Sequence, residues 1–220
     1  MAEDSVKNIE TMIKIEKLKE LNDGIAQIRP QPWEAFPDIE LYMDQVLKYM
    51  PRQKVEIAPD DALTASMVSN YVKSGIMPGA NGKRYGREHL VYLTAIQTLK
   101  HVLSVKDTSE LIRVTKGEKS AQEFYEEYAA LMEQTLSGID LMQYIEEDDC
   151  AEDGKQIPSE VIGRLAFEFA VMSYSGKLVC ERLLELIGRE QADAAELLAA
   201  AERAAKEKSK EKGKEKSKEQ

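Results

Sequence analysis

The sequence predicts a mainly α-helical protein, and three observations support that prediction. Apolar residues recur at three- and four-residue spacings over most of the chain, which is the period of an amphipathic helix. Prolines and glycines bound these stretches, as helix-ending residues do. With 220 residues, of which 43% are hydrophobic, the chain is long enough to bury a core in one or two domains.

The N-terminal part, residues 1–36, is predicted to form one helix and a connector. Apolar residues at helical spacing indicate an amphipathic helix over residues 5–28. Three prolines follow in RPQPWEAFP, and each removes a backbone donor and fixes φ, so this segment is expected to be extended. Trp33 and Phe36, the large apolar residues of the connector, are expected to dock onto a neighbouring surface.

A second helix is predicted over residues 39–50. Asp38 is a suitable N-cap because its carboxylate can accept a backbone N–H, and Pro51 ends the helix. One stripe of apolar side chains is expected to be buried: Ile39, Tyr42, Met43, Val46, Leu47 and Met50.

A short helix over residues 64–74 is predicted to have two well-separated faces. Thr64 can cap its start and Gly75 can end it. Apolar residues four positions apart form one face, and these rows can only belong to a core. The other face carries short hydrogen-bonding side chains and one cation: Ser66, Ser69, Asn70 and Lys73.

Residues 79–87 are predicted to form a small hairpin, or wing, that carries cations. Glycine and asparagine mark a tight turn, and Lys83, Arg84 and Arg87 follow it. A longer helix then begins at Arg87, and another short helix comes after it. This order of helix, short helix, wing, helix and short helix is that of a winged helix-turn-helix module, which is predicted to span residues 37–115.

The remainder of the chain is predicted to be a helical C-terminal region, residues 116–205. Its helices are expected near residues 120–136, 139–149 and 159–187. The last segment, residues 206–220, alternates Lys and Glu with almost no apolar residue. Such a segment cannot bury a hydrophobic face, so it is predicted to be a charged, disordered tail.

The distribution of charge matters more than the formal net charge of −10. The net negative charge excludes a nucleic-acid binder that is basic throughout, because a uniformly acidic chain would be repelled by phosphate. Residues 63–106, however, hold six basic residues and one acidic residue. This basic stretch coincides with the predicted short helix and wing.

These observations predict double-stranded DNA as the partner and a transcriptional regulator as the class of protein. In a winged helix-turn-helix protein the short second helix enters the major groove and the wing reaches the flanking phosphates. Base contacts are therefore expected from helix 64–74, and phosphate contacts from the wing 79–87. The candidate DNA-binding residues are Ser66, Ser69, Asn70, Lys73, Lys83, Arg84 and Arg87. The effector stays unknown, and homodimerisation stays open.

Two family resemblances rest on this region. The chain resembles the DNA-binding module of the mercury-resistance-regulator (MerR) type, with Tyr71, Gly75 and Pro78 at positions of its tyrosine, glycine and proline. The stretch from Pro37 to Ile112 is similar to the bacterial domain of unknown function 1836, through PDIELYMDQV, LTASMVSNYVKSGIMP, KRYGREHL and LKHVLSV. Both resemblances imply a MerR-like winged helix-turn-helix fold and DNA binding.

An alternative function is a non-enzymatic protein-interaction or regulatory scaffold that keeps the helix-turn-helix core without binding DNA. Its interaction surface would be the acidic helices near residues 120–150. No enzymatic motif of the nucleophile-elbow, phosphate-loop or zinc-protease kind occurs in the sequence, so catalysis and cofactors are not expected.

Metal binding and membrane association are not expected either. Cys150 and Cys180 lack metal-ligand spacing, and the two histidines, His89 and His101, are interpreted as surface or partly packed residues. The acidic cluster EEDDCAED at residues 146–153 lacks the spacing of a calcium loop. The N-terminus has no apolar run of signal-peptide length, and no long apolar segment follows, so a cytoplasmic protein is predicted.

Overall fold

The structure is a computed structural model that describes residues 12–52, 62–146, 149–151 and 155–216, with the backbone alone for residue 202 and residues 204–216. The chain divides into two compact units, Met1–Ser175 and Gly176–Gln220. The described elements in chain order are β1 (Met12–Lys14), α1 (Ile15–Ala26), β2 (Leu41–Tyr42), α2 (Met43–Tyr49), α3 (Ala65–Lys73), β3 (Arg84–Tyr85), α4 (Arg87–Leu99), α5 (Val105–Lys116), α6 (Ala121–Ser137), β4 (Gln156–Pro158) and α7 (Ser159–Lys216). The prediction of a mainly α-helical protein is confirmed.

The first helix starts later than the sequence predicts. Residues 12–14 form β1 and pair antiparallel with β4, with Ile13 opposite Ile157. Because the ladder uses the backbone groups of β1, helix α1 begins only at Ile15. The part of the predicted helix before residue 12 lies outside the described residues.

The second helix is also predicted too early, and for a similar reason. Leu41 and Tyr42 form β2, which pairs antiparallel with β3 of the wing. Helix α2 therefore begins at Met43, with Tyr42 rather than Asp38 at the N-cap position, and the Tyr42 N–H donates to Gln45 Oε1 at 2.8 Å. Ile39, predicted to be buried, is 65% exposed.

A first hydrophobic core is built from residues between Trp33 and Ala129. Phe36 is 2% exposed and meets the ring of Tyr125 edge-on, with centroids 5.2 Å apart. The prediction that Trp33 and Phe36 dock onto a neighbouring surface is confirmed. The buried members from the central helices include Val46, Met50, Val68, Tyr71, Leu90, Leu93, Ile96, Ile112 and Phe124.

Helix α3 agrees closely with its prediction. Thr64 Oγ1 accepts the N–H of Met67 at 3.2 Å, which caps the helix N-terminus. At the other end Gly75 has φ of 74°, a left-handed conformation that glycine adopts without a steric penalty. Val68 and Tyr71 are buried, so α3 is held against the first core by one face.

A second hydrophobic core joins α1, β4 and the start of α7. Its buried members are Leu18, Leu141, Ile157 and Leu165. The sequence predicts a helix near residues 139–149, whereas residues 139–146, the described start of that stretch, contain the 3₁₀ turn Leu141–Tyr144 and no α-helix. Asn22 Oδ1 accepts the Leu141 N–H at 2.8 Å, a contact from α1 that local sequence does not reveal.

Helix α7 is longer than predicted. The sequence predicts a helix over residues 159–187 and a disordered tail after residue 206, whereas α7 continues without a break to Lys216. In the second unit, α7 is the one element among the described residues.

Candidate nucleic-acid interface

The polar face of α3 points away from the core. Ser66, Ser69, Asn70 and Lys73 are all exposed, on the side of the helix opposite the buried Val68 and Tyr71. Ser69 Oγ donates to the Ala65 carbonyl at 2.9 Å, which leaves its oxygen lone pairs free to accept. The amide of Asn70 makes no hydrogen bond within the described part of the chain. These side chains can therefore present both donors and acceptors to a ligand.

The wing is a tight turn followed by a two-residue strand. The backbone N–H of Asn81 donates to the Arg84 carbonyl at 2.9 Å, and the Arg84 N–H donates to the Asn81 carbonyl at 3.1 Å. Gly82 lies between them with φ of 66°, as a two-residue hairpin turn requires. Lys83, the other central residue, is exposed, so its ammonium group is available at the tip of the wing.

His89 joins the two ends of the wing, a role that the sequence did not indicate. Its Nδ1 accepts the Gly86 N–H at 3.0 Å, which requires the ring proton to be on Nε2. Nε2 then donates to the Gly79 carbonyl, also at 3.0 Å. Because His89 is buried and lies on α4, these bonds fix the wing to the helical core.

Arg84 is exposed but is held against β2. One Nη donates to the Tyr42 hydroxyl at 3.3 Å, and the guanidinium carbon lies 5.3 Å from the centre of the Tyr42 ring. The hydrogen bond to Tyr42 raises the pKa of Arg84, and the negative charge of Glu40 adds a smaller increase. Arg84 therefore stays positively charged, and its guanidinium group lies against Tyr42.

Arg87 is half-buried and engaged in contacts within the fold. Its Nη2 donates to the Phe36 carbonyl at 3.0 Å, and its guanidinium carbon lies 5.4 Å from the Trp33 ring centre. Its Nε is buried without a hydrogen-bond partner. Arg87, predicted to contact phosphate, therefore attaches the connector to the start of α4.

We expect Arg87→Ala to destabilise the protein by about 1–3 kcal/mol, because it removes a charge-assisted hydrogen bond and a cation–π contact. Trp33 is the single tryptophan, so its fluorescence reports this contact directly. Urea unfolding should show a lower midpoint, and the emission of the folded variant should shift to the red. Lys83→Ala is the matched control, with neither change. If Arg87→Ala had the same emission and stability as the wild type, Arg87 would not be what attaches the connector to α4.

Carboxylates lie close to the wing cations. Asp38, Glu40 and Glu88 line a cleft of about 510 Å³ together with Trp33 and His89. Asn81 at the wing turn donates to Glu40 Oε1 at 3.1 Å. This side of the wing is acidic, so the field of Lys83 and Arg84 is partly cancelled on that side.

The described residues offer no metal site and no membrane span. No group of three or more His, Cys, Asp or Glu side chains among them is arranged to hold a metal ion. No helix in the described ranges combines the length and apolar character needed to cross a bilayer. The acidic cluster at residues 146–153 lies partly outside these ranges, and within them Asp149 accepts a hydrogen bond from Arg164 at 2.6 Å.

Comparisons with known proteins support one of the two resemblances seen in the sequence, that to the domain of unknown function 1836. No curated protein and no solved structure matches the chain. The segment that holds the first hydrophobic core, its α3 face and the wing does match a family model. Residues 31–129 match the family described as domain of unknown function (DUF1836).

Proposed function

We propose that the protein binds double-stranded DNA through a MerR-like winged helix-turn-helix module and acts as a cytoplasmic transcriptional regulator without enzymatic activity. The observation that carries the proposal is the exposed polar face of α3, formed by Ser66, Ser69, Asn70 and Lys73. This face stands on a helix that is capped at both ends and packed on a core by its other side. The major groove of B-DNA admits a helix of this kind.

The chemistry of that face suits base edges. An asparagine amide can donate from Nδ2 to N7 of adenine and accept at Oδ1 from the N6 amino group, which is the bidentate pairing that selects adenine. In Asn70 both groups are available, since its amide has no partner within the described residues. Ser66 and Ser69 can bond to several bases or to phosphate, so Asn70 is the residue on which sequence preference rests.

Two of the cations are free to meet phosphate, and two are already engaged. Lys73 lies in the last turn of α3 and Lys83 at the wing tip, and both are exposed. Arg84 is held against Tyr42 through one Nη, and Arg87 is tied to Phe36 and Trp33. We therefore assign the main phosphate contacts to Lys73 and Lys83, which gives weak non-specific affinity in a chain of net charge −10.

Fluorescence anisotropy with duplex DNA over a salt series tests this proposal. Two or three phosphate contacts per chain predict a slope of log affinity against log salt of about −2 to −3. Lys83→Ala should weaken binding to all sequences alike and reduce that slope by about 1, whereas Asn70→Ala should relax the preference at one position. Lys19→Ala, an exposed lysine on α1, is the matched control and should bind as the wild type does.

Absence of binding at low salt would overturn the proposal and favour the protein-interaction scaffold. The observation behind that second function is on α6, where Leu131 is exposed and Glu127, one turn before it on the same face, is exposed as well. An apolar side chain beside a carboxylate suits a basic, amphipathic protein segment better than a polyanion.

A further inference from the structure

A cleft between α4 and α5 combines a buried apolar floor with charged groups at its rim. Its volume is about 570 Å³, which is within the range of small-molecule sites. Three of the apolar residues that line it are buried and form its floor. We refer to this site as the α4–α5 cleft and define it by Ile76, Glu88, Tyr92, Ile112, Lys116 and Ala121, which all line it. A ligand with an apolar body and charged groups suits such a cleft.

The rim of the α4–α5 cleft carries charges of both signs that do not pair with each other. Glu88, in the first turn of α4, is exposed and forms no ion pair within the described part of the chain. Lys116, in the last turn of α5, donates from Nζ to the adjacent Gly117 carbonyl at 3.4 Å, which is a long hydrogen bond. Since Glu88 and Lys116 line one cleft without forming an ion pair, each charge is available to a ligand.

The Tyr92 hydroxyl is a third polar group of the cleft. Tyr92 is 4% exposed, and its hydroxyl makes no hydrogen bond to any described residue. The ring stacks on Phe124, with centroids 5.6 Å apart and an angle of 20° between the ring planes, which fixes its orientation. Burial raises the pKa of Tyr92, and the negative charge of Glu88 raises it further, so the hydroxyl stays protonated. A hydroxyl in such a position costs free energy unless a ligand or water completes its hydrogen bonds.

The charges of the cleft disfavour a ligand of one sign. A simple anion would be repelled by Glu88, and a simple cation would be repelled by Lys116 and Arg113. Arg113 already donates from Nε to Glu110 Oε2 at 2.9 Å, so Lys116 is the better partner for an added carboxylate. A molecule that carries both an ammonium group and a carboxylate pairs with both sides of the rim at once.

We propose that the α4–α5 cleft binds a small zwitterion, an α-amino acid with a large apolar side chain. Glu88 accepts from the ammonium group, and Lys116 donates to the carboxylate. The Tyr92 hydroxyl adds a hydrogen bond to the bound molecule, whose apolar side chain covers Ile76 and Ile112. This proposal is independent of DNA binding, since it uses none of the candidate DNA-binding residues.

Isothermal titration calorimetry of the full chain tests the ligand class with three probes that share one apolar body. L-Phenylalanine carries both charges, hydrocinnamate lacks the ammonium group and phenethylamine lacks the carboxylate. We expect L-phenylalanine to bind and each analogue to bind at least about tenfold more weakly, because each leaves one charged group of the cleft unpaired. No heat from L-phenylalanine at millimolar concentration, or equal affinity for L-phenylalanine and either analogue, would overturn the proposal.

Three variants test the role of each polar group. Glu88→Gln should weaken L-phenylalanine binding by about tenfold without weakening hydrocinnamate, which has no ammonium group. Lys116→Gln should weaken L-phenylalanine by a similar factor without weakening phenethylamine, which has no carboxylate. Tyr92→Phe keeps the stacked ring and should weaken L-phenylalanine by about threefold to tenfold. Wild-type affinity for L-phenylalanine in both Glu88→Gln and Lys116→Gln would contradict the assignment.

Glu40→Gln and Lys106→Gln are the matched controls. Glu40 lines the cleft beside the wing, which Glu88 also borders, and Lys106 is an exposed lysine of α5 outside the α4–α5 cleft. Both variants should bind L-phenylalanine as the wild type does. A loss in Glu40→Gln as large as that in Glu88→Gln would place the ligand beside the wing and overturn the proposal. The urea midpoint of each variant, expected to equal that of the wild type, separates lost binding from lost folding.

Discussion

Phe36→Ala is expected to lower the free energy of unfolding by about 3–5 kcal/mol, the range found when a buried phenylalanine is truncated to alanine. Phe36 is 2% exposed and sits between two aromatic rings, at 5.2 Å from Tyr125 and 6.3 Å from Tyr49 between centroids. The variant loses the apolar transfer energy, leaves a cavity and breaks the contact of the connector with α6. Urea unfolding followed by circular dichroism measures the change.

Ile39→Ala, three residues further along the chain, is the matched control for that measurement. The sequence predicts that both residues are buried, Phe36 by docking of the connector and Ile39 on the stripe of a helix, but Ile39 is largely in solvent, so its truncation should cost less than about 0.5 kcal/mol. Comparable losses in the two variants would contradict the start of α2 at Met43 and the burial of the connector.

His89→Leu is expected to cost about 2–4 kcal/mol, because it keeps an apolar side chain in place but leaves the Gly86 N–H and the Gly79 carbonyl without partners. Both bonds are 3.0 Å long and belong to one buried ring. If the proposed DNA contact of Lys83 depends on a fixed wing, affinity should fall with stability. Thermal unfolding and DNA anisotropy measure the two effects separately.

Two further variants separate the hydrogen bonds of His89. In His89→Asn the amide oxygen can stand near the position of Nδ1 and accept from Gly86, whereas in His89→Gln the amide nitrogen can reach the position of Nε2 and donate to Gly79. Each should recover part of the loss seen in His89→Leu. Equal stability of His89→Leu and the wild type would show that neither hydrogen bond of His89 contributes to stability.

Local signals in the sequence were sufficient for α3 and α6 but not for the strands. Thr64 and Gly75 act within a few residues of the ends of α3, and the apolar period of α6 is local too, so both helices were predicted closely. β2 has only two residues, and its partner β3 comes more than 40 positions later. A pattern of apolar residues cannot distinguish so short a strand from the first turn of a helix.

In the candidate site too, local features could be predicted from the sequence and long-range contacts could not. The exposed face of α3 follows from helical periodicity alone, since burying Val68 and Tyr71 turns Ser66, Ser69 and Asn70 outward. The hydrogen bonds of the wing arginines cannot be predicted from the sequence, because their partners are remote along the chain. Arg84 bonds to Tyr42 and Arg87 to the Phe36 carbonyl, at separations of 42 and 51 residues. A count of cations therefore overstates the charge that is free to meet phosphate.

The pairing of β1 with β4 also sets an order of events during synthesis. All residues of the first core lie between Trp33 and Ala129, so all of them are synthesised before Ile157, the partner of Ile13. Strand β1 is synthesised before the first core but can pair only after β4 has been synthesised. We therefore expect the central segment to fold on the nascent chain while the residues that precede it wait for β4.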